Sequence, residues 1–216
     1  MAITDGGRIL WEKSVYTKLT HSQVILPMVS EALRETELDY KDIDCAAVAC
    51  GPGSYTGLRI GIGAVKGLCM GEKGLKCAGV STLLALSINC APFDGRITAV
   101  LRARPGIVYA GEFESVNGKV TRLSPDRVAK EEELFGEAAP EGKLLLVGDY
   151  AHEIKEKWFS GSEQVLTAPE PFLLQKASSL CLAVEMDNSL ITDADKLTVS
   201  YLQDTKAEKD KAHRGE

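Results

Sequence analysis

The chain has 216 residues, 44% of them hydrophobic and 26% charged, with a formal net charge of −6 and a pI near 5.3. That length buries a sizeable core and holds one or two domains, while the acidic balance argues against strong autonomous nucleic-acid binding, in which phosphate contacts dominate affinity. Six cysteines, at 45, 50, 69, 77, 90 and 181, include no Cys-x-x-Cys pair and read as reduced core residues of a cytoplasmic protein, and neither a signal-peptide pattern nor an apolar run of spanning length is present.

In chain order, Asp5-Gly6-Gly7 is a hairpin turn between a short stub, Ala2 to Thr4, and a strand-like run from Arg8 to Tyr16. Thr20 or Ser22 caps a helix from His21 to Thr36. Its apolar residues Val24, Ile25, Leu26, Met28, Val29, Ala32 and Leu33 cover an arc of roughly 200°, wider than one core-facing stripe needs. This helix wants two neighbours: it is wedged between sheet and domain, or it presents part of a partner-binding surface.

After the polar link Asp39 to Asp44, Cys45 to Cys50 is an uncharged strand, and Gly51-Pro52-Gly53 is a tight turn. Thr56, or alternatively Ser54, caps a helix starting at Gly57 and running to Gly71. On this helix Leu58, Ile62, Val65 and Cys69 form one stripe, and Ile60, Gly63, Ala64, Gly67 and Gly71 lie roughly opposite. Small or apolar almost all round, it should be covered on two faces. Each interior glycine costs about 1 kcal/mol relative to alanine, so close backbone packing is the expected compensation. The alternative is a phosphate cradle formed by Gly51, Gly53, Ser54, Thr56 and Gly57 at the helix start, although the segment matches neither Gly-x4-Gly-Lys-Ser/Thr nor the dinucleotide fingerprint.

Gly74 to Val80 reads as a strand, Ser81 or Thr82 caps a helix to about Cys90, and Ala91 to Gly95 is a loop. Strand, helix, strand, helix implies a mixed α/β sheet. The expected domains are 1–92 and 93–202, followed by a charged tail, 203–216, expected to be disordered. In the second half, Arg96 to Arg102 is a buried strand, and 106–114 pairs with 119–123 through Asn117-Gly118. A short helix from Glu131 to Phe135, a core strand from Lys143 to Val147, a helix from Ala151 to Phe159 and an amphipathic helix from Phe172 to Asp187 follow, the last with Leu173, Ala177, Leu180, Cys181 and Val184 inward.

Candidates for chemistry are sparse. His21, His152 and His213 lack metal-ligand spacing. Glu131-Glu132-Glu133 reads as a solvated helix start. Asp149, after a strand, suits a metal or nucleotide but is more often a turn residue, and Ser54 lacks a nucleophile elbow and an assignable base. No catalytic or metal-binding residue is assigned.

The run Gly51-Pro-Gly-Ser-Tyr-Thr-Gly-Leu-Arg-Ile-Gly-Ile-Gly-Ala-Val-Lys-Gly-Leu68 resembles the signature of the TsaB (YeaZ) family. The likeness extends to His21-Ser22-Gln23, Val108-Tyr109, Gly148-Asp149, and Tyr201-Leu202 with Ala207-Glu208. It implies a ribonuclease H-like, actin-type ATPase (ASKHA) fold with two related lobes, also grouped beside glycoprotease-like proteins. The implied role is that of a non-catalytic scaffold for TsaD in forming threonylcarbamoyladenosine next to the anticodon of tRNAs. The resemblance places the TsaD-type subunit on Val24, Ile25, Met28, Val29 and Ala32 of the first helix and Ile60, Gly63, Ala64, Gly67 and Gly71 of the second. It also implies that ATP and a divalent metal sit on that partner, with no cofactor on this chain. A TsaE-type ATPase is a further candidate partner, tRNA is contacted only indirectly, and the chain forms a homodimer when alone.

Three departures accompany the resemblance. The chain starts at what looks like the family's second strand, so the central first strand with its Asp/Glu-Thr-Ser segment is missing, which would leave two neighbouring strands with unpaired backbone groups. A mis-assigned or cut start is the expected cause, and pairing with another copy is the alternative. Arg102-Ala103-Arg104 stands where the family shows Asp-Ala-Arg, and Val199 and Gln203 stand where Pro and Arg are common. The competing functional reading is an actin-type nucleotide hydrolase or glycoprotease-like hydrolase using the glycine turn and Asp149, against which the missing acidic residue of the first strand counts.

Overall fold

Two glycines at φ 53° and 80°, Gly6 and Gly7, turn the chain between strand β1 (Ala2–Asp5) and strand β2 (Arg8–Glu12), an antiparallel pair that forms a sheet of its own. The computed structural model describes residues 1–136 and 142–202. Strand β2 ends at Glu12 rather than at Tyr16: the Lys13 amide donates to the Met1 carbonyl at 2.9 Å, and beyond that rung β2 has no partner among the described residues. Val15, Tyr16 and Leu19 are exposed instead.

Helix α1 (His21–Thr36) follows with the bounds expected. Thr20 is its N-cap, and the Gln23 side chain reaches back to accept from the Thr20 amide at 2.9 Å. Strand β3 (Cys45–Gly51) runs parallel to β4 (Lys76–Ser81), joined by helix α2 (Tyr55–Gly71), and β11 (Ile191–Thr192) adds antiparallel on the other edge of β4. Helix α2 begins two residues earlier than expected, because Ser54 is the cap: its Oγ accepts from the Gly57 amide at 3.3 Å, while Thr56 is exposed.

Helix α3 (Thr82–Asn89), capped by Ser81, leads into the main sheet. That sheet is formed by β5 (Gly95–Arg104), β6 (Ile107–Val116), β7 (Lys119–Arg122), β9 (Leu144–Val147) and β10 (Val165–Thr167) in the order β10-β9-β5-β6-β7, with β8 (Arg127–Lys130) also pairing with β6. The β6–β7 hairpin turns at Asn117 and Gly118, both at positive φ. Helices α4 (Glu131–Phe135) and α5 (Ala151–Trp158) cross between strands. The single helix expected over 172–187 is two: α6 (Glu170–Leu173) and α7 (Ala177–Met186). The break arises because Leu174 is extended and the buried Asn89 side chain takes the carbonyls of Phe172 and Leu174, at 3.3 and 2.8 Å.

The main core surrounds Leu83, Leu86, Ile97, Phe113, Leu146 and Ile154, each fully buried and each stabilising by about 1.5–3 kcal/mol. A second cluster joins Ile3 to Val29, Ala32 and Leu33, and a third joins Ile62, Cys77 and Leu197. Between the first two sheets the structure is divided. Strands β1 and β3 both rest on α7, yet they are not hydrogen-bonded to each other. Consequently Cys45 to Cys50, uncharged and flanked by helices, are all only half-buried. No described helix is long and apolar enough to cross a membrane. The expected tail, 203–216, and with it His213, lies outside the described residues.

A candidate docking surface on the first two helices

Helices α1 and α2 lie side by side, pointing the same way. At their starts, a Cβ on Gly57 would stand 3.7 Å from His21 Nε2; further along, Leu68 of α2 packs against the cluster of Val29, Ala32 and Leu33. Each helix is seated on a different sheet: α1 over Ile3 of β1, α2 over Val48 and Cys50 of β3.

The residues expected to meet a partner divide into three groups. Val29 and Ala32, 5% and 0% exposed, belong to the second core of this chain and offer no surface, which corrects the expectation for these two. Val24, Ile25, Met28, Ile60 and Ala64 are half-buried. Gly63, Gly67 and Gly71 are exposed, and a Cβ added to any of them would meet nothing within 4 Å. The close packing expected to compensate these glycines is therefore supplied by no described part of this chain. It is supplied elsewhere on the helix: a Cβ on Gly61 would press to 3.2 Å on Val48.

Exposed positions on α2 recur at helical spacing, Tyr55, Arg59, Gly63 and Gly67, with Met70 82% exposed at the far end. On α1, Leu26, Pro27 and Ser30 are exposed. Sequence periodicity gave the glycine line but missed Leu26, Tyr55, Arg59 and Met70, since pattern alone does not tell which of two apolar arcs faces the core.

The glycine turn before α2 is filled from within. The Ser200 amide donates to the Cys50 carbonyl at 2.8 Å, and a Cβ on Gly51, at φ 127°, would lie 2.5 Å from the Ser200 carbonyl oxygen. Gly53 faces Leu58, and Ser54 Oγ is engaged by the Gly57 amide. Residues 196–201 thus strap the end of β3 and the start of α2, and the backbone at Gly51 approaches this chain's own strap. At the strap's end Tyr201 stacks on Tyr55, with centroids 5.0 Å apart and planes 24° apart. Arg59 lies over Tyr55 at 4.0 Å, and its Nε donates to the Tyr201 hydroxyl at 2.7 Å.

A second polar cluster caps the main sheet. Glu131, expected as a solvated helix start, is 2% exposed and accepts from Lys157 Nζ at 2.6 Å, the Tyr150 hydroxyl at 3.0 Å and Trp158 Nε1 at 3.4 Å. Burial pushes its carboxyl up, but these donors outweigh burial and leave it below the usual carboxylate range. Asp149 accepts from the Arg102 amide at 2.9 Å, which makes it a turn-closing residue, and Arg102 pairs with Glu153 at 2.8 Å. His152 contacts Glu170 at 3.2 Å. Among the described residues no group of three or more His, Cys, Asp or Glu could hold a metal ion. The thiols of Cys45, Cys69 and Cys90 are pushed up to about 11 by burial, so they are poor nucleophiles.

The family model described as "TsaD: tRNA N6-adenosine threonylcarbamoyltransferase" matches residues 16–209. The tRNA threonylcarbamoyladenosine biosynthesis protein TsaB of Bacillus subtilis is 35% identical over 127 residues, 59% of this chain and 55% of that protein; the TsaB of Escherichia coli is 42% identical over 96 residues, 44% and 41% respectively. In these alignments the chain spans about half the length of the curated relatives it matches. Among solved structures, YeaZ from Pseudomonas aeruginosa superposes with a TM-score of 0.77 at 26% identity, covering 93% of this chain and 92% of that one. A second Pseudomonas aeruginosa structure, of an uncharacterized protein with similarity to peptidase YEAZ, gives 0.76 at 26% identity and covers 94% and 93%. The fold is accordingly the actin-type α/β fold of YeaZ, and the chain belongs to the TsaB (YeaZ) family.

Proposed function

We propose that this chain is a non-catalytic docking subunit, which binds a TsaD-type threonylcarbamoyltransferase through α1 and α2 and supports formation of threonylcarbamoyladenosine in tRNA. One observation carries the reading: Gly63, Gly67 and Gly71 form an open line on α2 with nothing within 4 Å of an added Cβ. Interior glycines cost a helix about 1 kcal/mol each, and a line of them at every fourth residue lets a second helix approach backbone to backbone. Met70, within the same stretch of α2, and Leu26 on α1 add exposed apolar side chains, as the apolar centre of an interface requires. The names of the curated relatives supply the pathway, and the strap supports the non-catalytic role, because the backbone at Gly51 closes on this chain's own Ser200 carbonyl. In this reading ATP and the divalent metal are held by the partner.

The test is to mix the chain with the TsaD-type subunit of its own organism and measure the mass of the eluted species by light scattering, with and without ATP. A one-to-one or two-to-two complex is the expected result. Elution of the two proteins separately, with this chain at the mass of a homodimer, would overturn the docking role.

A further inference from the structure

The Arg59 guanidinium is held in place from two sides, and no described carboxylate neutralises it. Its plane lies over the Tyr55 ring at 4.0 Å, its Nε donates to the Tyr201 hydroxyl at 2.7 Å, and Tyr201 is itself fixed by stacking on Tyr55 and by the Ser200 to Cys50 backbone bond. Arg59 is exposed, and among the described residues no carboxylate lies within ion-pair distance of it, although the chain carries 31 acidic residues against 25 basic ones. The bond to Tyr201 occupies Nε and Tyr55 lies beside the guanidinium, so among the described residues most donors of the two terminal amino groups stay open. An arginine used only for solubility would sample many rotamers; this one has already lost that freedom, so pairing it with an acceptor costs little further entropy.

We propose that Tyr55, Arg59 and Tyr201 form a docking hot spot that receives a carboxylate of the partner protein, with both terminal amino groups of Arg59 as the donor fork. The inference rests on the docking function proposed above and names the chemistry by which one end of that surface selects its partner. Tyrosine and arginine are the residue types that dominate interface energetics, and here they are fixed one helical turn before Gly63, where a partner backbone can come close. As that backbone covers the site, water is excluded and the guanidinium–carboxylate pair strengthens, while an unpaired arginine there would oppose docking. A carboxylate is favoured over an RNA phosphate because phosphate backbones are held by several cations together, and the described residues place a single constrained guanidinium here on a chain of net charge −6. Tyr201 acts through Arg59: its hydroxyl sets the orientation of the fork.

The experiment is titration calorimetry of the full chain into its TsaD-type subunit at low and high salt, with Arg59→Ala, Arg59→Lys and Tyr201→Phe. Both sites are at the surface, and thermal melts establish that each variant is folded. Arg59→Ala and Arg59→Lys should each weaken the complex about 10- to 100-fold, since lysine keeps the charge but loses the fork and the stack. Tyr201→Phe should weaken it several-fold, and the salt dependence seen with the wild type should shrink in Arg59→Ala. Folded variants that bind like the wild type would overturn the hot spot while leaving the docking function standing. An intact complex that has lost only tRNA retention would overturn the carboxylate in favour of a phosphate. A wild-type chain that fails to bind would overturn both readings.

Discussion

If the open glycine line is the docking surface proposed above, stability and binding respond in opposite directions to the same substitution. In Gly63→Ala/Gly67→Ala the new methyl groups meet nothing within 4 Å, so neither creates a clash, and each removes the conformational cost of glycine inside a helix, about 1 kcal/mol. The isolated chain should gain about 2 kcal/mol, which for a chain of this size raises Tm by about 4–8 °C. Binding should move the other way. Two methyl groups on the line hold an approaching backbone off, and Gly67→Glu, equally harmless to the free fold, should abolish the complex. Thermal melts of the free chain by circular dichroism and calorimetric titration with the TsaD-type subunit measure the two effects separately. A melting temperature that falls in the alanine pair would refute the claim that these glycines are open. A complex that survives Gly67→Glu in a folded protein would refute the claim that the line is the contact surface.

The buried cluster at the end of the main sheet gives a pH-dependent prediction. Because the folded carboxyl of Glu131 is depressed relative to its unfolded value near 4.5, its contribution is fully present above that value and is lost as pH falls through the depressed one; urea melts from pH 7 to pH 3 should show wild type losing more stability below about pH 4.5 than Glu131→Gln does. At pH 7, Glu131→Ala should cost about 2 kcal/mol in the same melts, since Tyr150 and Trp158 lose their acceptor while the exposed Lys157 returns to solvent. Gly148→Ala should be severe, about 3 kcal/mol or more, because at φ 116° its Cβ would lie 2.0 Å from the Val100 carbonyl oxygen; insoluble expression, or a large fall in urea midpoint, checks this. Ser54→Ala should cost about 1 kcal/mol through loss of the α2 cap, whereas Thr56→Ala, at an exposed position outside the cap, should leave the urea midpoint unchanged within error.

Local signals carried most of the fold. The Asn117-Gly118 turn, the Thr20 cap and the uncharged run Cys45 to Cys50 each specify their element through interactions within a few residues, and each element lies where the sequence places it. What the sequence left hidden depends on distant partners. The break between α6 and α7 is made by Asn89, more than eighty residues away, and β11 exists because β4 offers it an edge. Glu131 is the sharpest case: three consecutive glutamates look like a solvated helix start, and only the arrival of Lys157, Tyr150 and Trp158 turns the first of them inward. On helices α1 and α2, helical periodicity marked the glycine line, whereas the resemblance placed Val29 and Ala32 toward a partner; they are buried because an apolar arc of roughly 200° contains both the face against Ile3 and the face toward solvent.

Helices α1 and α2 are tied to different sheets, and this bears on how the proposed docking surface is held together. Helix α1 is anchored to β1 through Ile3, Val29, Ala32 and Leu33, and α2 to β3 through Val48, Cys50 and Ile62, while β1 and β3 share no ladder. The links between the two halves are the contact of α1 with α2, the packing of α7 beneath both strands and Leu68, which reaches from α2 into the cluster of α1. Without a shared ladder of backbone hydrogen bonds, the two strands depend on side-chain packing for their relative position, and a region held by fewer such bonds opens more readily. A partner seated across both helices would therefore bridge the division from outside. The consequence is measurable by hydrogen exchange: the amides of β3 and β1 should exchange fast in the free chain relative to those of β5 and β9, and a partner seated on α1 and α2 should slow them. Unchanged exchange in β1 and β3 on forming the complex would mean that α7 alone sets the geometry of the surface.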